Sequence, residues 1–368
     1  GVQVVRARAR FADSTTLRLE GADNADNDGE TPDRISFERA ILATGSTPVV
    51  PPDLRVEDPR VWGSAEALEL RQVPGRLLVV GGGYIGLELG TVYAALGSRV
   101  TVTEMEGGLL PGVDRDLVKP LAKRLDQLLD AVYLSSRVAA IQARDAGLQV
   151  AIEGQGVPAE QLYDGVLVAV GRRPRTADLG LEHTRARLDR RGFVEVDRRQ
   201  QSADPHILAI GDVAGEPMLA HKAAREGRIA AEVVAGEPAA FDNVAIPAVV
   251  FTDPEIAWCG LTEAAARERG VDVAVTRFPW GASGRAHTLG RTEGLTKLIY
   301  APDSERLLGA GIVGVGAGEL IAEAVLAVEL GAVARDVAET IHNHPTLAET
   351  IGESAEAVVG SATHIHRG

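Results

Sequence analysis

Cysteine is almost missing from this chain: Cys259 stands alone among 368 residues. A single thiol excludes any disulfide within the chain, and Cys259, between Trp258 and Gly260 in a strand-like run, reads as a buried small hydrophobe. Long apolar runs are missing too. None reaches membrane-spanning length, and the opening GVQVVRARARF has no secretory pattern. No membrane partner is expected, and the cytoplasm is the default compartment. Positive charge is in deficit, with 38 Lys and Arg against 52 Asp and Glu, a net charge of −14. That balance speaks against nucleic-acid binding and for solubility. No metal is assigned. What remains is ordinary for a globular protein, 45% hydrophobic and 24% charged, and long enough for two or three domains.

The chain is organised around RLLVVGGGYIGLELGTVYAALGSRVTVTE, residues 76–104. Leu77 to Val80 reads as a buried parallel strand, Tyr84 to Leu96 as a helix, and Val100 to Thr103 as a second strand. Gly81, Gly83 and Gly86 between them form G-x-G-x-x-G. The first glycine makes a tight turn, the second lets backbone approach a pyrophosphate, and the third lets helix and strand pack closely. Unpaired N–H groups at the helix start suit phosphate. Glu104 ends the second strand, where an acid accepts ribose hydroxyls and repels a 2′-phosphate, which favours NAD over NADP. The alternative is a glycine-rich packing turn that binds nothing.

Upstream, 1–40 reads as strand, then an acidic loop GADNADNDGETPDR, then strand again. Ala43-Thr44-Gly45-Ser46 ends a strand in small residues, either a plain turn or a close approach to a ligand. Downstream, Asp114 to Leu129 reads as a helix, Ala139 to Ile141 and Leu148 to Ile152 as antiparallel strands, and Tyr163 to Val170 as one buried strand. That strand delivers Gly171, Arg172 and Arg173, either ligand-facing cations or surface ion pairs. His206 to Asp212 reads as another buried strand, and Asp212 either accepts a polyol hydroxyl or caps a turn. A helix follows to Ala235. This is a second candidate nucleotide site, so two cofactors are expected. From Ile246 onward, strands followed by helices at Glu319–Leu330 and Val333–Ile341 read as a distinct α+β domain.

His344-Pro345-Thr346 precedes the last helix, with Glu349 in reach of both the imidazole and the helix start. A His–Glu pair is an acid/base device in which the carboxylate fixes the ring tautomer. Thr346-x-x-Glu349 is equally a capping box, and on spacing alone that reading comes first. His342 reads as a packing or surface histidine.

GGGYIGLELG, AVGRRPRT, AIGDVAGEPMLAHKAAREG, FTDPEIAWCGLTEAAA, FPWGASGRA and IHNHPTLAE occur in that order. With them the chain resembles the dihydrolipoamide dehydrogenases, class I pyridine nucleotide-disulfide oxidoreductases, in the bacterial form that serves 2-oxoacid dehydrogenase complexes. The resemblance spans essentially the whole chain. It implies an α/β protein: a Rossmann-like NAD domain (73–172) inserted in part of an FAD domain of the same kind (1–72 and 173–243), then an α+β dimerisation domain (244–368). It implies FAD and NAD as cofactors. Partners would be a second copy of the chain, the lipoyl domain and the core of the complex.

Position by position, the resemblance gives Gly81, Gly83, Gly86 and Glu104 to NAD, and makes Glu88 the acid between nicotinamide and flavin. Gly45 and Gly171 join the cofactor-binding set. Asp212 becomes the flavin-ribityl contact, and Met218, Leu219, Ala220 and His221 the backbone turn near the flavin pyrimidine edge. His344 and Glu349 become the acid/base pair serving a dithiol across a dimer interface, a role compatible with the capping box. The flavin G-x-G-x-x-G and the C-x-x-x-x-C of those enzymes belong before residue 1, and these 368 residues alone are expected not to oxidise dihydrolipoamide. The other reading is a non-catalytic NAD-binding dimer or subunit-binding remnant.

Overall fold

The computed structural model describes residues 1–21 and 33–365. Most of the acidic loop anticipated between the first strands falls at 22–32, outside the described residues. The chain forms two compact units, Gly1–Thr47 with Arg172–Asp242, and Pro48–Gly171 with Asn243–Gly368.

In the first unit, Arg8–Asp13, Thr16–Glu20 and Arg34–Ser36 form an antiparallel sheet. Ala40–Leu42 pairs in parallel with Ile207–Ala209. Phe11, Leu42, Leu181, Val194, Ile207, Ala209 and Val213 close the core beneath them. The run from His206 is a shorter strand than its apolar pattern suggests. It stops at Ala209, and Asp212 lies in the 3-10 turn Gly211–Val213. Gly211 takes φ +71 there, and its N–H is held at 2.7 Å by Glu226 of the helix Ala220–Val234.

The second unit holds a five-stranded parallel sheet in the order Val61–Trp62, Gly165–Val168, Arg76–Val80, Arg99–Thr103, Ala131–Tyr133. Its central strands are buried on both faces, as their unbroken β-branched and leucine runs require. The helices Tyr84–Ala95 and Arg115–Leu128 contribute Leu87, Tyr93, Leu117, Leu121 and Leu125 to its core. The single strand expected over Tyr163–Val170 is two strands in different sheets. Glu160–Tyr163 pairs antiparallel with Gly147–Glu153, which pairs with Arg137–Arg144, while Gly165–Val168 enters the parallel sheet. The chain changes sheet at Asp164, whose carboxylate accepts the Arg76 N–H at 2.8 Å. An apolar run cannot reveal which neighbours its edges will find.

The same unit continues into an antiparallel sheet ordered Ala248–Val250, Glu255–Gly260, Leu307–Gly314, Leu295–Tyr300, Ala274–Pro279. The helices Ala317–Leu330, Ala334–Ala338 and Glu349–Val359 follow. Trp280 is fully buried at its centre and dictates two glycines, because a Cβ at Gly294 or Gly314 would lie 2.2 or 2.3 Å from its ring. The two sheets share one core, in which Gly311 leaves room for Leu117. They also share a charge cluster. Lys297, fully buried, reaches Asp114 at 2.7 Å, Asp116 at 2.8 Å and Glu263 at 3.0 Å. Asp114 in turn accepts the Glu263 and Ala264 N–H groups at the start of the helix Glu263–Arg269. Among the described residues no helix is long and apolar enough to cross a membrane.

Candidate functional site

Gly81 follows the Arg76–Val80 strand with φ +111, a conformation that suits glycine, and a Cβ there would sit 2.4 Å from the Ala169 carbonyl. Gly86 is closed in as well: its Cβ would lie 2.1 Å from the Gly81 oxygen. Gly83 differs. It is the N-cap of the Tyr84–Ala95 helix at φ −79, and nothing lies within 4 Å of where its Cβ would be. Two glycines therefore serve packing, and the third leaves open space before a helix N-terminus. Glu104 is buried against this turn, its Oε2 accepting the Gly82 N–H at 2.7 Å and its Oε1 the Glu106 N–H at 2.8 Å. Each carboxylate oxygen keeps a further lone pair for a ribose hydroxyl. An anionic phosphate at the helix end and a diol at Glu104 are what the turn fits, and that is the NAD requirement.

Glu88 lies one turn further along the helix. Its Oε1 accepts the Phe251 N–H at 2.8 Å. Burial pushes its carboxyl above the ordinary value, and the Phe251 hydrogen bond only partly opposes this. Gly171, at φ +125, is exposed, and its carbonyl accepts the Val49 N–H at 3.0 Å.

In the other unit, the structure brings Gly45, Ser46 and Asp212 together. Gly45 takes φ +71 and its carbonyl accepts the Arg175 N–H at 2.9 Å. Ser46 Oγ donates to Asp212 Oδ2 at 2.5 Å and accepts from Arg172 Nε at 2.7 Å. Arg172 is thus neither an exposed ion pair nor a free ligand-facing cation; it steadies the residue that steadies Asp212. The sequence signals neither Ser46 nor this use of Arg172, since the two are joined only by the fold. Met218 and Leu219 lead into the Ala220–Val234 helix, where Ala220 and His221 occupy the exposed first turn. Lys222 and Glu226, both buried, pair at 2.8 Å, and Lys222 also holds the Gly215 carbonyl at 3.1 Å. A fixed carboxylate, a small-residue turn and a helix start suit the polyol and ring edge of a flavin.

His344 and Glu349 form a site of their own. His344 Nδ1 lies 2.8 Å from Glu349 Oε1, and 79% of the His344 side chain is exposed. The carboxylate can only accept, so Nδ1 carries the proton and Nε2 presents a lone pair outward. Burial raises the Glu349 carboxyl, but the Thr346 N–H and the His344 contact outweigh it, and the net shift is below the ordinary value. The capping box is only half made. Glu349 Oε2 accepts the Thr346 N–H at 2.7 Å, but Thr346 Oγ1 donates to the Asn343 carbonyl, and the helix begins at Glu349 with Ala348 as its cap. Cys259 is fully buried and its thiol is pushed up to about 12 by burial, so it is no nucleophile.

Residues 1–227 match the family model described as pyridine nucleotide-disulphide oxidoreductase, and 246–355 match the dimerisation domain of the same family. The chain belongs to the pyridine nucleotide-disulphide oxidoreductases. Within that family it is of the dihydrolipoamide dehydrogenase type. The dihydrolipoyl dehydrogenase of Vibrio cholerae is 44% identical over 365 residues, 99% of this chain and 75% of that one. That of Haemophilus influenzae is 45% identical over 364 residues, again 99% and 75%. Among solved structures, LpdA from Mycobacterium tuberculosis superposes with a TM-score of 0.87 at 28% identity, covering 97% of this chain and 78% of that one. The HOCl-induced flavoprotein disulfide reductase RclA from Escherichia coli gives 0.83 at 30%, covering 95% and 78%. This oxidoreductase family uses FAD and NAD, the pair expected from the sequence, and its dimerisation domain marks 246–355 as the segment that pairs with a second copy.

Proposed function

We propose that these residues, together with a redox C-x-x-x-x-C outside them, oxidise protein-bound dihydrolipoamide, with His344 as the base and Glu349 as the group that orients it. The observation that carries this reading is the His344–Glu349 geometry: Nδ1 is committed at 2.8 Å, and the ring is 79% exposed. A thiol brought to Nε2 gives up its proton there, and the imidazolium so formed is stabilised by the Glu349 carboxylate. Bound FAD and NAD supply the electron transfer from disulfide chemistry to hydride chemistry. Glu104 and the N–H groups at the Tyr84–Ala95 helix start hold the dinucleotide. Asp212, fixed through Ser46 and Arg172, holds the flavin side chain beside Gly45 and the Met218–His221 turn.

The base has no cysteine beside it among the described residues, Cys259 being buried, so the thiol pair it serves is the C-x-x-x-x-C expected outside these 368 residues, presented by the partner subunit of a two-fold dimer. The exposed position of His344 suits delivery of a lipoyl group on a 2-oxoacid dehydrogenase complex in the cytoplasm. The domain boundaries anticipated at 72, 172 and 243 are proposed for the flavin, nicotinamide and interface segments. The test is reduction of NAD⁺ by dihydrolipoamide with a yellow holoenzyme that carries the C-x-x-x-x-C pair in addition to these 368 residues. Absence of turnover in a preparation that binds both cofactors would refute the reading.

A further inference from the structure

His342 stands two residues before the proposed base and is turned the other way, with 11% of its side chain exposed. Both its ring nitrogens meet acceptors. Nδ1 lies 2.9 Å from the Thr340 carbonyl, and Nε2 lies 2.8 Å from Glu323 Oε1. A carbonyl and a carboxylate only accept, so a ring protonated on both nitrogens satisfies both partners. Glu323 sits on the Ala317–Leu330 helix, whereas His342 belongs to the irregular stretch 341–348 that carries His344. The pair ties that stretch to a separate element.

The ring is also closed in from the last helix. A Cβ at Gly352 would lie 2.8 Å from His342 Nδ1 and 2.9 Å from Cε1, so the glycine there makes room for the imidazole. The other bonds within the stretch are local: Thr346 Oγ1 to the Asn343 carbonyl at 2.8 Å, and the Thr346 N–H to Glu349 at 2.7 Å. They hold the turn around His344 to the adjoining start of the last helix, whereas His342 reaches across to the Ala317–Leu330 helix.

We propose that His342, clamped between Thr340 and Glu323, is the positioning residue of the His344–Glu349 pair. It fixes the stretch so that His344 Nδ1 stays on Glu349 while Nε2 points outward. The inference rests on the reading of His344 as base. The charged groups that face the ring are Glu323 from one helix and Glu349 and Glu356 from the last helix. Burial raises the Glu349 carboxyl; after Thr346 and His344, His342 is one more group that lowers it.

The test compares His342→Ala, His342→Gln and His344→Gln in the holoenzyme. His342→Ala is expected to lower kcat for dihydrolipoamide by about 10- to 100-fold, the scale of a misplaced catalytic group. KM and NADH oxidation by an artificial acceptor should hold, and the acidic limb of the kcat–pH profile should move. His342→Gln, which keeps a donor toward Glu323, should restore part of the loss. Should His342→Ala fail to fold, Glu323→Ala removes the same bond and is expected to give the same split. Unchanged kcat and pH profile in either variant, with His344→Gln inactive, would overturn the positioning role alone. Equal loss of both half-reactions would overturn it in favour of a purely structural histidine. If His344→Gln itself keeps dihydrolipoamide turnover, the reading of the base fails and this inference with it.

Discussion

His344 Nδ1 and Glu349 Oε1 lie 2.8 Å apart, while the other oxygen of that carboxylate holds the Thr346 N–H at 2.7 Å. One carboxylate thus anchors its own loop and aims the imidazole. Separating these two jobs is the first measurement to make. His344→Gln removes the base but leaves the Thr346–Glu349 bond. Dihydrolipoamide oxidation should fall by about 10²–10⁴, the usual worth of acid/base catalysis. NADH oxidation by an artificial acceptor should persist, because it needs no thiol proton. Equal loss in both assays, with a lower melting temperature, would return His344 to a structural role.

The carboxyl of Glu349 also makes stability depend on pH. Its folded pKa is depressed, so it contributes stability that is present above the unfolded value, near 4.5, and lost as pH falls through the lower folded value. The gap in denaturation midpoint between parent and Glu349→Gln should therefore be constant near neutrality and shrink below about pH 4.5. A gap that widens on acidification would reverse the assignment. Thr346→Ala leaves this bond in place, because the backbone N–H is the donor, and Thr346 is not the helix cap.

The parts of this molecule that could be read in advance are those with local causes. Leu77–Val80 is a strand because a β-branched run between Pro74-Gly75 and glycines has no other way to hide, and the observed strand is Arg76–Val80. Tyr84–Leu96 is a helix by its spacing, and it ends one residue sooner. What escaped are contacts between residues far apart in sequence. Ser46 and Asp212, His342 and Glu323, and Lys297 with Asp114 each meet only because sheets assemble. The helix Val333–Ile341 shortens to Ala334–Ala338, and beyond its end the Thr340 carbonyl is held by His342 Nδ1, two residues on.

The three glycines of the turn should respond differently to alanine. Gly86→Ala places a Cβ 2.1 Å from the Gly81 oxygen and 3.1 Å from Val79, so about 1–3 kcal/mol of stability should be lost through overpacking. Gly83→Ala meets no protein atom within 4 Å at an allowed φ of −79, so its melting temperature should stay near parent. NADH binding should nevertheless weaken by about tenfold or more, some 1.4 kcal/mol, because the space it fills is the ligand's. Calorimetric titration with parent-like NADH affinity for Gly83→Ala would argue that the turn binds nothing.

Glu104 should set the choice of nucleotide. It is buried at the end of its strand and aligned by the Gly82 and Glu106 N–H groups, so a 2′-phosphate would meet a fixed negative charge. NADH should bind the parent more tightly than NADPH. Glu104→Ala should cost NADH about 1.5–3 kcal/mol, the worth of a charge-assisted hydrogen bond, and narrow the gap. Equal affinities in the parent would end the assignment.

The last expectation concerns Lys297, whose ammonium is buried among Asp114, Asp116 and Glu263. Arg277 adds a second cation, reaching Asp116 at 2.7 Å and also Glu263. Burial alone would raise the Asp116 carboxyl, yet the Lys297 and Arg277 contacts prevail and hold it below its ordinary value. Lys297→Met keeps the apolar stem but leaves three carboxylates converging with only the more exposed Arg277, and Arg267 at 4.0 Å from Glu263, to answer them. Removing one partner of a buried ionic group costs about 3–5 kcal/mol, because the desolvated charge that remains has nowhere to go. Urea denaturation of the parent and of Lys297→Met at neutral pH should show that loss, and lowering the pH toward about 4 should narrow it as the carboxylates protonate. The triple variant with Asp114→Asn, Asp116→Asn and Glu263→Gln beside Lys297→Met should recover part of the stability. Asp114 also caps the Glu263–Arg269 helix, so recovery should stay incomplete by about 1 kcal/mol, a typical cap. A Lys297→Met variant as stable as the parent would show that the cluster is solvated and holds nothing together.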